Sequence, residues 1–271
     1  MTDFPLQAYL NRIGLKGGVS QTPKGLDTLH RAQTCTIPFE NFDVLLGRKI
    51  DIRAHALIEK LLGQKRGGYC FELNGLFFLA LTAMGFDARF VLARVHVSDA
   101  ASPRAHVAII VQIDGAAWLA DVGFGGNGLR APMPFALDTP ADQDGVQFRL
   151  VEAPPFGVML QTFEAGEWSN NYSFDLEHVG EADLEMGNHF ASTHPESIFT
   201  KARIANILNS SGRVSLMNFS LSHVTGEKRE SETLSDDPSY MDAVKSNFGI
   251  ALDADYDALP GVLEPPSLDL S

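Results

Sequence analysis

Cys70, His106 and Asp121 carry the three side chains that cysteine-based catalysis needs: a thiol, a base and a carboxylate that orients the base. Cys70 lies in the stretch RGGYCFELNGLF, at the start of a largely apolar run that predicts a helix. In the first turn of a helix, a thiolate is stabilised by the helix dipole and by unpaired backbone N–H groups. Because free cysteine is also among the most often buried residues, a cysteine of the core is the alternative interpretation of Cys70.

The stretch HVAIIVQIDGAAWLADV, residues 106–122, predicts a β-hairpin with a two-residue Asp-Gly turn. That turn sets the register, so that Asp121 lies opposite Ala108. His106 shares a face with Ala108, which places its Cα atom about 7 to 8 Å from that of Asp121, on the diagonal. In this register Asp121 can orient the imidazole while the second ring nitrogen faces a thiol. Taken singly, His106 could be an ordinary core or surface histidine, and Asp121 could be the cap of a strand end.

The stretch GFGGNG, residues 123–128, formally matches the glycine pattern of dinucleotide-binding folds, but Pro132 and Pro134 argue against the helix that should follow. A glycine loop can still line a cleft with backbone amides, so Gly125 and Gly126 are predicted to contact a phosphate or thioester of a cofactor. Phe124 is predicted to help form an apolar cleft that binds the substrate and limits water. A turn that needs only positive φ is the alternative for this stretch.

Other candidate sites have weaker patterns. His189 and His194 lack metalloprotease spacing, and no close Cys/His cluster has zinc spacing, so we expect no metal. No G-x-S-x-G elbow appears. Cys35 has no base nearby in sequence and is predicted to pack in the core. Arg66 is predicted either to pair with Glu40 and brace the loop before the nucleophile or to be a solvated surface arginine.

The composition is typical of a globular protein, with 45% hydrophobic and 20% charged residues in a chain of 271. The net charge of −13 argues against a nucleic-acid partner. Much of it comes from residues 227–271, which hold eleven acids and three bases and are predicted to form a solvated surface. The longest nearly apolar stretch, residues 73–86, is shorter than the roughly 20 residues of a membrane span, and no secretory signal is evident. We therefore expect a cytoplasmic protein with no membrane partner and two free thiols.

The elements that must position the three residues form an α+β pattern: helices first, then a sheet or barrel, then a mixed tail. Helix start and stop signals predict four N-terminal helices: one between Asp3 and Gly14, one capped by Thr22 and Pro23, one between Asp51 and Gly63, and one over residues 69–84 with Gly85 after it. Strand patterns follow over residues 88–97, in the hairpin and on to about residue 176. Beyond them we predict a helix near residues 196–209, strands over 214–224, and a helix opened by Asp237 and Pro238 and closed by Gly249.

Several stretches resemble the arylamine N-acetyltransferase family. They are YLNRIGL (9–15), LHRAQTCTIPFENFDVLLG (29–47), RGGYCFELNGLF (66–77), LARVHV (92–97), HVAIIVQIDGAAWLADVGFGG (106–126) and NHFASTHPESIF (188–199). The RGGYCFE and DVGFG blocks are together highly specific. The family histidine is often followed by a basic residue, whereas Val107 follows it here, and the resemblance fades after residue 200.

The resemblance implies a helical bundle with the nucleophile (residues 1–85), a β-barrel with the histidine and aspartate (86–190) and an α/β lid (191–271). It also implies a papain-like triad of Cys70, His106 and Asp121. The acetyl donor would be acetyl-coenzyme A, and the acceptors would be arylamines, arylhydroxylamines or hydrazines. Ping-pong transfer through an acetylated Cys70 is the mechanism we expect.

Three other functions stay open. The same triad could serve a papain- or transglutaminase-like hydrolase or amide-forming enzyme with another acyl donor, and a macrocycle-forming relative is a narrower variant. A non-enzymatic coenzyme A binding scaffold is the third, and retention of all three triad residues argues against it.

Overall fold

A group of helices precedes the first long strand. The computed structural model describes residues 4–96, 101–164, 166–209, 211–226 and 228–262. The first elements are α1 (Leu6–Arg12), α2 (Pro23–Thr34), β1 (Phe39–Glu40), α3 (Phe42–Leu45), α4 (Ala54–Leu57) with a π-helical turn (Ile58–Gly63), and α5 (Cys70–Ala83). The cap of α2 is confirmed, since the Thr22 side chain accepts a hydrogen bond from the Gly25 N–H. Asp3, the predicted cap of the first helix, lies outside the described residues.

The predicted limits of the third helix are wrong. The Asp51 carboxylate accepts from the backbone N–H of Arg53, and the helix begins only after Arg53. Gly63 is the last residue of the helical turns and not a left-handed residue after them, and the N–H of Gln64 bonds to the carbonyl of Glu59.

The helix that begins at Cys70 is confirmed to within a residue at each end, and Gly85 takes the left-handed conformation after it, with φ +82°. Glu72 accepts a hydrogen bond from the Tyr69 N–H and so caps the first turn. The helix is apolar on nearly every side because it is enclosed: it packs on β2 (Asp87–Val95) and β3 (His106–Ile113), and α1 and α4 cover it. Burial therefore fixes the position of its first residue.

The second region is an eight-stranded antiparallel sheet that is nearly closed into a barrel, in the order β5-β4-β3-β2-β9-β8-β7-β6. Its remaining strands are β4 (Ala116–Ala120), β5 (Met133–Pro134), β6 (Ala141–Gln143), β7 (Val146–Glu152), β8 (Val158–Glu164) and β9 (Glu167–Phe174). The hairpin register is confirmed: Ile113 pairs with Ala116, and Ile109 with Ala120. Both turn residues have positive φ, as a type I′ turn requires. The predicted strand 88–97 ends at Val95, and residue 97 lies outside the described residues.

A five-stranded antiparallel sheet forms the third region, in the order β1-β10-β11-β12-β13. Its later strands are β10 (Ile204–Asn209), β11 (Gly212–Met217), β12 (Ser220–Thr225) and β13 (Lys228–Thr233); α6 (Glu181–Thr193) precedes them and α7 (Ser239–Phe248) follows. The predicted strands over 214–224 and the last helix, which ends at a left-handed Gly249, are confirmed.

The helix predicted near residues 196–209 is wrong. The helix of this region is α6, which ends at Thr193, because His194 before Pro195 has an extended backbone. Residues 204–209 form β10 instead, because β1 and β11 pair with it on its two sides.

The division into residues 1–85, 86–190 and 191–271 stays a prediction. Phe39 and Glu40 of the first part pair with Asn206 and Ala205 of the last, so the sheet of the third region includes a strand from the first. Among the helices of the described residues, none combines the length and the apolar character that crossing a bilayer demands.

Candidate active site

Cys70 is the first residue of α5 and is buried, with 2% of its surface exposed. Its Sγ lies 3.8 Å from the carbonyl oxygen of Ala105, directly before β3. The chain crosses it again at Gly123, where a Cβ atom would stand 2.9 Å from the Cα of Cys70. Glycine is needed there because the two backbone segments approach so closely. The thiol is thus enclosed by the helix start, the entry to β3 and the loop after β4.

His106 and Asp121 meet on the face that the hairpin register predicts, with Nε2 of the imidazole 2.7 Å from Oδ2 of the carboxylate. Both residues are buried. Because Nε2 is engaged by Asp121, Nδ1 is the ring nitrogen left for the thiol, and Cys70 lies close enough to the imidazole to affect its charge. The structure therefore brings together the three residues that the sequence singled out.

The electrostatics of this pair favour the charged forms of both partners. Burial alone would lower the pKa of His106, but the Asp121 carboxylate, its hydrogen bond and the neighbouring Cys70 side chain raise that pKa to about 10. Burial would raise the pKa of Asp121, yet His106 and the hydrogen bonds from Asn74 and Gly123 hold it below its usual value. An imidazolium beside Cys70 is the partner that a thiolate nucleophile needs.

Two positioning residues, Asn74 and His30, were missed by the sequence reasoning. Asn74 Nδ2 donates to Asp121 Oδ1 and to the carbonyl of Val107, both at 2.8 Å. Nε2 of the fully buried His30 lies 3.0 Å from the carbonyl oxygen of Asp121. Asn74 could have been found, since it follows Cys70 by four residues and so shares its face of the helix.

An aromatic wall closes one side of the imidazole. The ring of Phe124 lies 5.2 Å from that of His106, and the ring of Tyr172 lies 4.9 Å from it, measured between centroids. Phe124 is half-buried, and its ring also packs on Tyr172 at 5.1 Å. Tyr172, on β9, was missed because no local pattern links it to the hairpin. The two rings make an apolar surface beside the thiol.

The glycine loop lies between the hairpin and the five-stranded sheet. Gly125 has φ +92°, and a Cβ atom on Gly126 would stand 2.8 Å from Oδ1 of Asn206 on β10. The N–H groups of Gly125 and Gly126 donate to no acceptor among the described residues. Both amides thus remain available to a ligand.

A buried group of charges braces the segment before Cys70. Arg66 donates to both carboxylate oxygens of Glu40, at 2.8 and 3.0 Å, and its side chain is 5% exposed. Lys60 lies 2.7 Å from both Asp43 and Glu72, and Glu72 caps α5. The predicted pair of Arg66 and Glu40 is confirmed, and the surface alternative is wrong because Arg66 is enclosed.

Two further sequence predictions concern residues outside this centre. Cys35 is exposed rather than packed in the core, because α2 turns its buried face inward at positions such as Leu29 and Gln33 and ends before Cys35. Within the described part of the chain, no group of three or more His, Cys, Asp or Glu side chains could hold a metal ion.

Comparisons with known proteins agree on one family. A family model described as N-acetyltransferase matches residues 24–256. The arylamine N-acetyltransferase / N-hydroxyarylamine O-acetyltransferase of Salmonella typhimurium is 38% identical over 256 residues, which cover 93% of this chain and 90% of that protein. The solved arylamine N-acetyltransferase of M. smegmatis superposes with a TM-score of 0.90 at 31% identity, covering 96% of this chain and 99% of the other. The solved arylamine N-acetyltransferase of Mycobacterium marinum in complex with CoA superposes with a TM-score of 0.88 at 31% identity, covering 94% of this chain and 96% of the other.

Proposed function

Since the chain belongs to the arylamine N-acetyltransferase family, and is thus an acyltransferase that uses acetyl-coenzyme A, we propose that it transfers the acetyl group through a thioester on Cys70. The observation that carries this proposal is the 2.7 Å contact of His106 Nε2 with Asp121 Oδ2 beside the thiol at the start of α5. The proposed catalytic residues are therefore Cys70, His106 and Asp121, in a papain-like arrangement.

In the first half-reaction, the Cys70 thiolate attacks the carbonyl carbon of the acetyl thioester. The tetrahedral oxyanion is stabilised by backbone N–H groups, that of Cys70 among them. The carbon–sulfur bond to coenzyme A then breaks, and the departing thiolate takes the proton of the His106 imidazolium. Cys70 is left acetylated and His106 neutral.

In the second half-reaction, the acceptor nitrogen attacks the acetyl carbon of the enzyme thioester. The now neutral His106 takes the proton from the amine, and Asp121 stabilises the imidazolium that forms. The bond between the acetyl carbon and Cys70 Sγ breaks, which restores the thiolate. Transfer to amines requires that water be excluded, and the rings of Phe124 and Tyr172 beside His106 support this role.

The proposed acceptors are arylamines, arylhydroxylamines and hydrazines, which Phe124 would contact through its ring. Relatives named for arylamine N-acetylation and N-hydroxyarylamine O-acetylation support the first two classes. Gly125 and Gly126 are the proposed backbone contacts to acetyl-coenzyme A, because their N–H groups have no acceptor among the described residues and Gly125 lines the narrow cleft beside Phe124.

The mass of the intact protein after exposure to acetyl-coenzyme A without an amine tests this proposal. We expect one added acetyl group in the wild type and none in Cys70→Ala. Cys35→Ala is the matched control, since it removes the other, exposed thiol and should leave labelling intact. A wild-type enzyme that acetylates an amine but never carries an acetyl group would contradict the covalent mechanism.

A further inference from the structure

Asn206, in the middle of β10, lines the narrow cleft that reaches the catalytic centre. The cleft lies between the end of α2, the glycine loop and β10, and its polar lining side chains are those of Thr34, Asp121 and Asn206. The Thr34 hydroxyl donates to backbone carbonyls of its own helix, and the Asp121 carboxylate is engaged by His106 and by two N–H donors. The Asn206 amide has no hydrogen-bond partner among the described residues, so it is the polar group of this lining that is left for a ligand.

The side chain of Asn206 points at the glycine loop. Its neighbour Ala205 is buried in the core beneath α7, and successive side chains of a strand face opposite sides of the sheet. A Cβ atom on Gly126 would stand 2.8 Å from Oδ1 of Asn206, and one on Gly125 would stand 3.6 Å from its Nδ2. Both ends of the amide thus lie against the loop, and the missing side chains of the two glycines leave room for it.

The same loop links Asn206 to the nucleophile. A Cβ atom on Gly123 would stand 2.9 Å from the Cα of Cys70, whereas Gly125 lies against Asn206. Two residues of chain span at most about 7 Å, so the thiol and the Asn206 amide flank neighbouring parts of the loop. The N–H groups of Gly125 and Gly126 also have no acceptor among the described residues. An extended ligand with its reactive group at the thiol and an amide a few bonds away fits this layout.

We propose that Asn206 binds an amide group of the pantetheine arm of acetyl-coenzyme A. This inference rests on the proposed function, since it takes the acetyl donor as the ligand of the cleft. The arm carries amides between the thioester and the phosphates, and the nearer amide is separated from the sulfur by only an ethylene link. Asn206 can accept from the N–H of such a group through Oδ1 and donate to its carbonyl through Nδ2. A polar substituent on the acceptor amine is the other source of a partner, and two-substrate kinetics separate the two.

The test measures kcat/KM separately for donor and acceptor, which are independent of each other in a ping-pong reaction. Asn206→Ala should lower kcat/KM for acetyl-coenzyme A about five- to thirtyfold, as expected when one or two neutral hydrogen bonds are lost. Asn206→Leu, which keeps the size of the side chain but cannot hydrogen-bond, should show the same fall. The kcat/KM for the acceptor 4-methoxyaniline should stay within about twofold of the wild type, because the acetylated enzyme has already released coenzyme A. The rate of acetylation by p-nitrophenyl acetate, an activated donor without a pantetheine arm, should also be unchanged.

Asn209→Ala is the matched control, since Asn209 lies on the same strand but is exposed at its end, and this variant should change none of these values. Wild-type kcat/KM for acetyl-coenzyme A in either Asn206 variant would overturn the assignment. An equal fall for both donors would also overturn it, because p-nitrophenyl acetate has no amide to bind, and so would a fall confined to the acceptor. Wild-type protein that transfers no acetyl group from acetyl-coenzyme A to the amine would instead contradict the proposed function.

Discussion

Asn74→Ala should disable the catalytic centre more than its effect on stability explains. The Asn74 side chain is fully buried and makes three hydrogen bonds. Its Nδ2 donates to the Val107 carbonyl and to Asp121 Oδ1, both at 2.8 Å, and its Oδ1 accepts from the Val122 N–H at 3.0 Å. One side chain on the helix of the nucleophile therefore holds the strand of the base and the carboxylate that orients it.

The magnitude follows from the groups that the substitution leaves unpaired. The carbonyl of Val107 and the N–H of Val122 lose their partner in a buried site, at about 1 to 3 kcal/mol each, so the free energy of unfolding should fall by about 2 to 6 kcal/mol. Asp121 Oδ1 keeps the Gly123 N–H at 2.9 Å but loses its second donor. Because a small misplacement of catalytic groups costs up to about 100-fold, we expect kcat/KM to fall by about 10- to 100-fold.

Two measurements separate stability from positioning. Urea denaturation gives the free energy of unfolding, and initial rates of acetyl transfer, normalised to the folded fraction, give kcat/KM. Gln33→Ala is the matched control: Gln33 is equally buried, donates to the Leu73 carbonyl at 3.0 Å and accepts from the Tyr9 hydroxyl at 2.9 Å, but does not contact the triad. It should lose similar stability while keeping kcat/KM within about threefold of the wild type.

Transfer of acetyl groups at the wild-type rate by fully folded Asn74→Ala would refute the positioning role of Asn74. An equal loss of normalised activity in Gln33→Ala would also refute it, since the loss would then reflect loosening of α5 and not the contact with Asp121.

Three further outcomes follow from buried groups elsewhere in the chain. Burial lowers the pKa of His30 to about 4. The unfolded chain, whose histidines titrate near 6.5, therefore binds the proton first as the pH falls; the stabilisation is complete above about pH 6.5, and about 3 kcal/mol is lost by about pH 4. Urea denaturation across this range should show that slope in the wild type and lose it in His30→Gln. Glu40→Gln leaves the buried charge of Arg66 poorly compensated and should cost about 3 kcal/mol of unfolding free energy, whereas the double change Glu40→Leu with Arg66→Met should cost less. Gly123→Ala places a methyl group 2.9 Å from the Cα of Cys70 and should lower kcat/KM at least about tenfold, with Gly17→Ala, where the space is open, as the control.

Each of these three predictions would be contradicted by a specific result. An unchanged pH slope in His30→Gln would assign the loss of stability to other groups. A double variant of Glu40 and Arg66 that is less stable than Glu40→Gln would show that the ion pair itself stabilises the fold. Full activity of Gly123→Ala would mean that the loop moves away from Cys70 at no cost.

Part of the active site could be predicted because its determinants are local. A two-residue Asp-Gly turn sets the hairpin register, and that register alone places His106 and Asp121 on one face. The start of the helix at Cys70 and its end at Gly85 depend on backbone preferences within a few residues of each position. The family resemblance rested on these same stretches, so function could be inferred before the fold was seen.

The sequence by itself determined the local elements and the chemical types of the triad, while the tertiary structure decided which distant segments meet. Residues 204–209 were expected in a helix, yet they form a strand, because β1 lies on one side of them and β11 on the other. Asn74 and His30 reach Asp121 only after the helices and the barrel have packed together. Turn and cap preferences act over a few residues, whereas burial and strand pairing depend on partners far away in the chain.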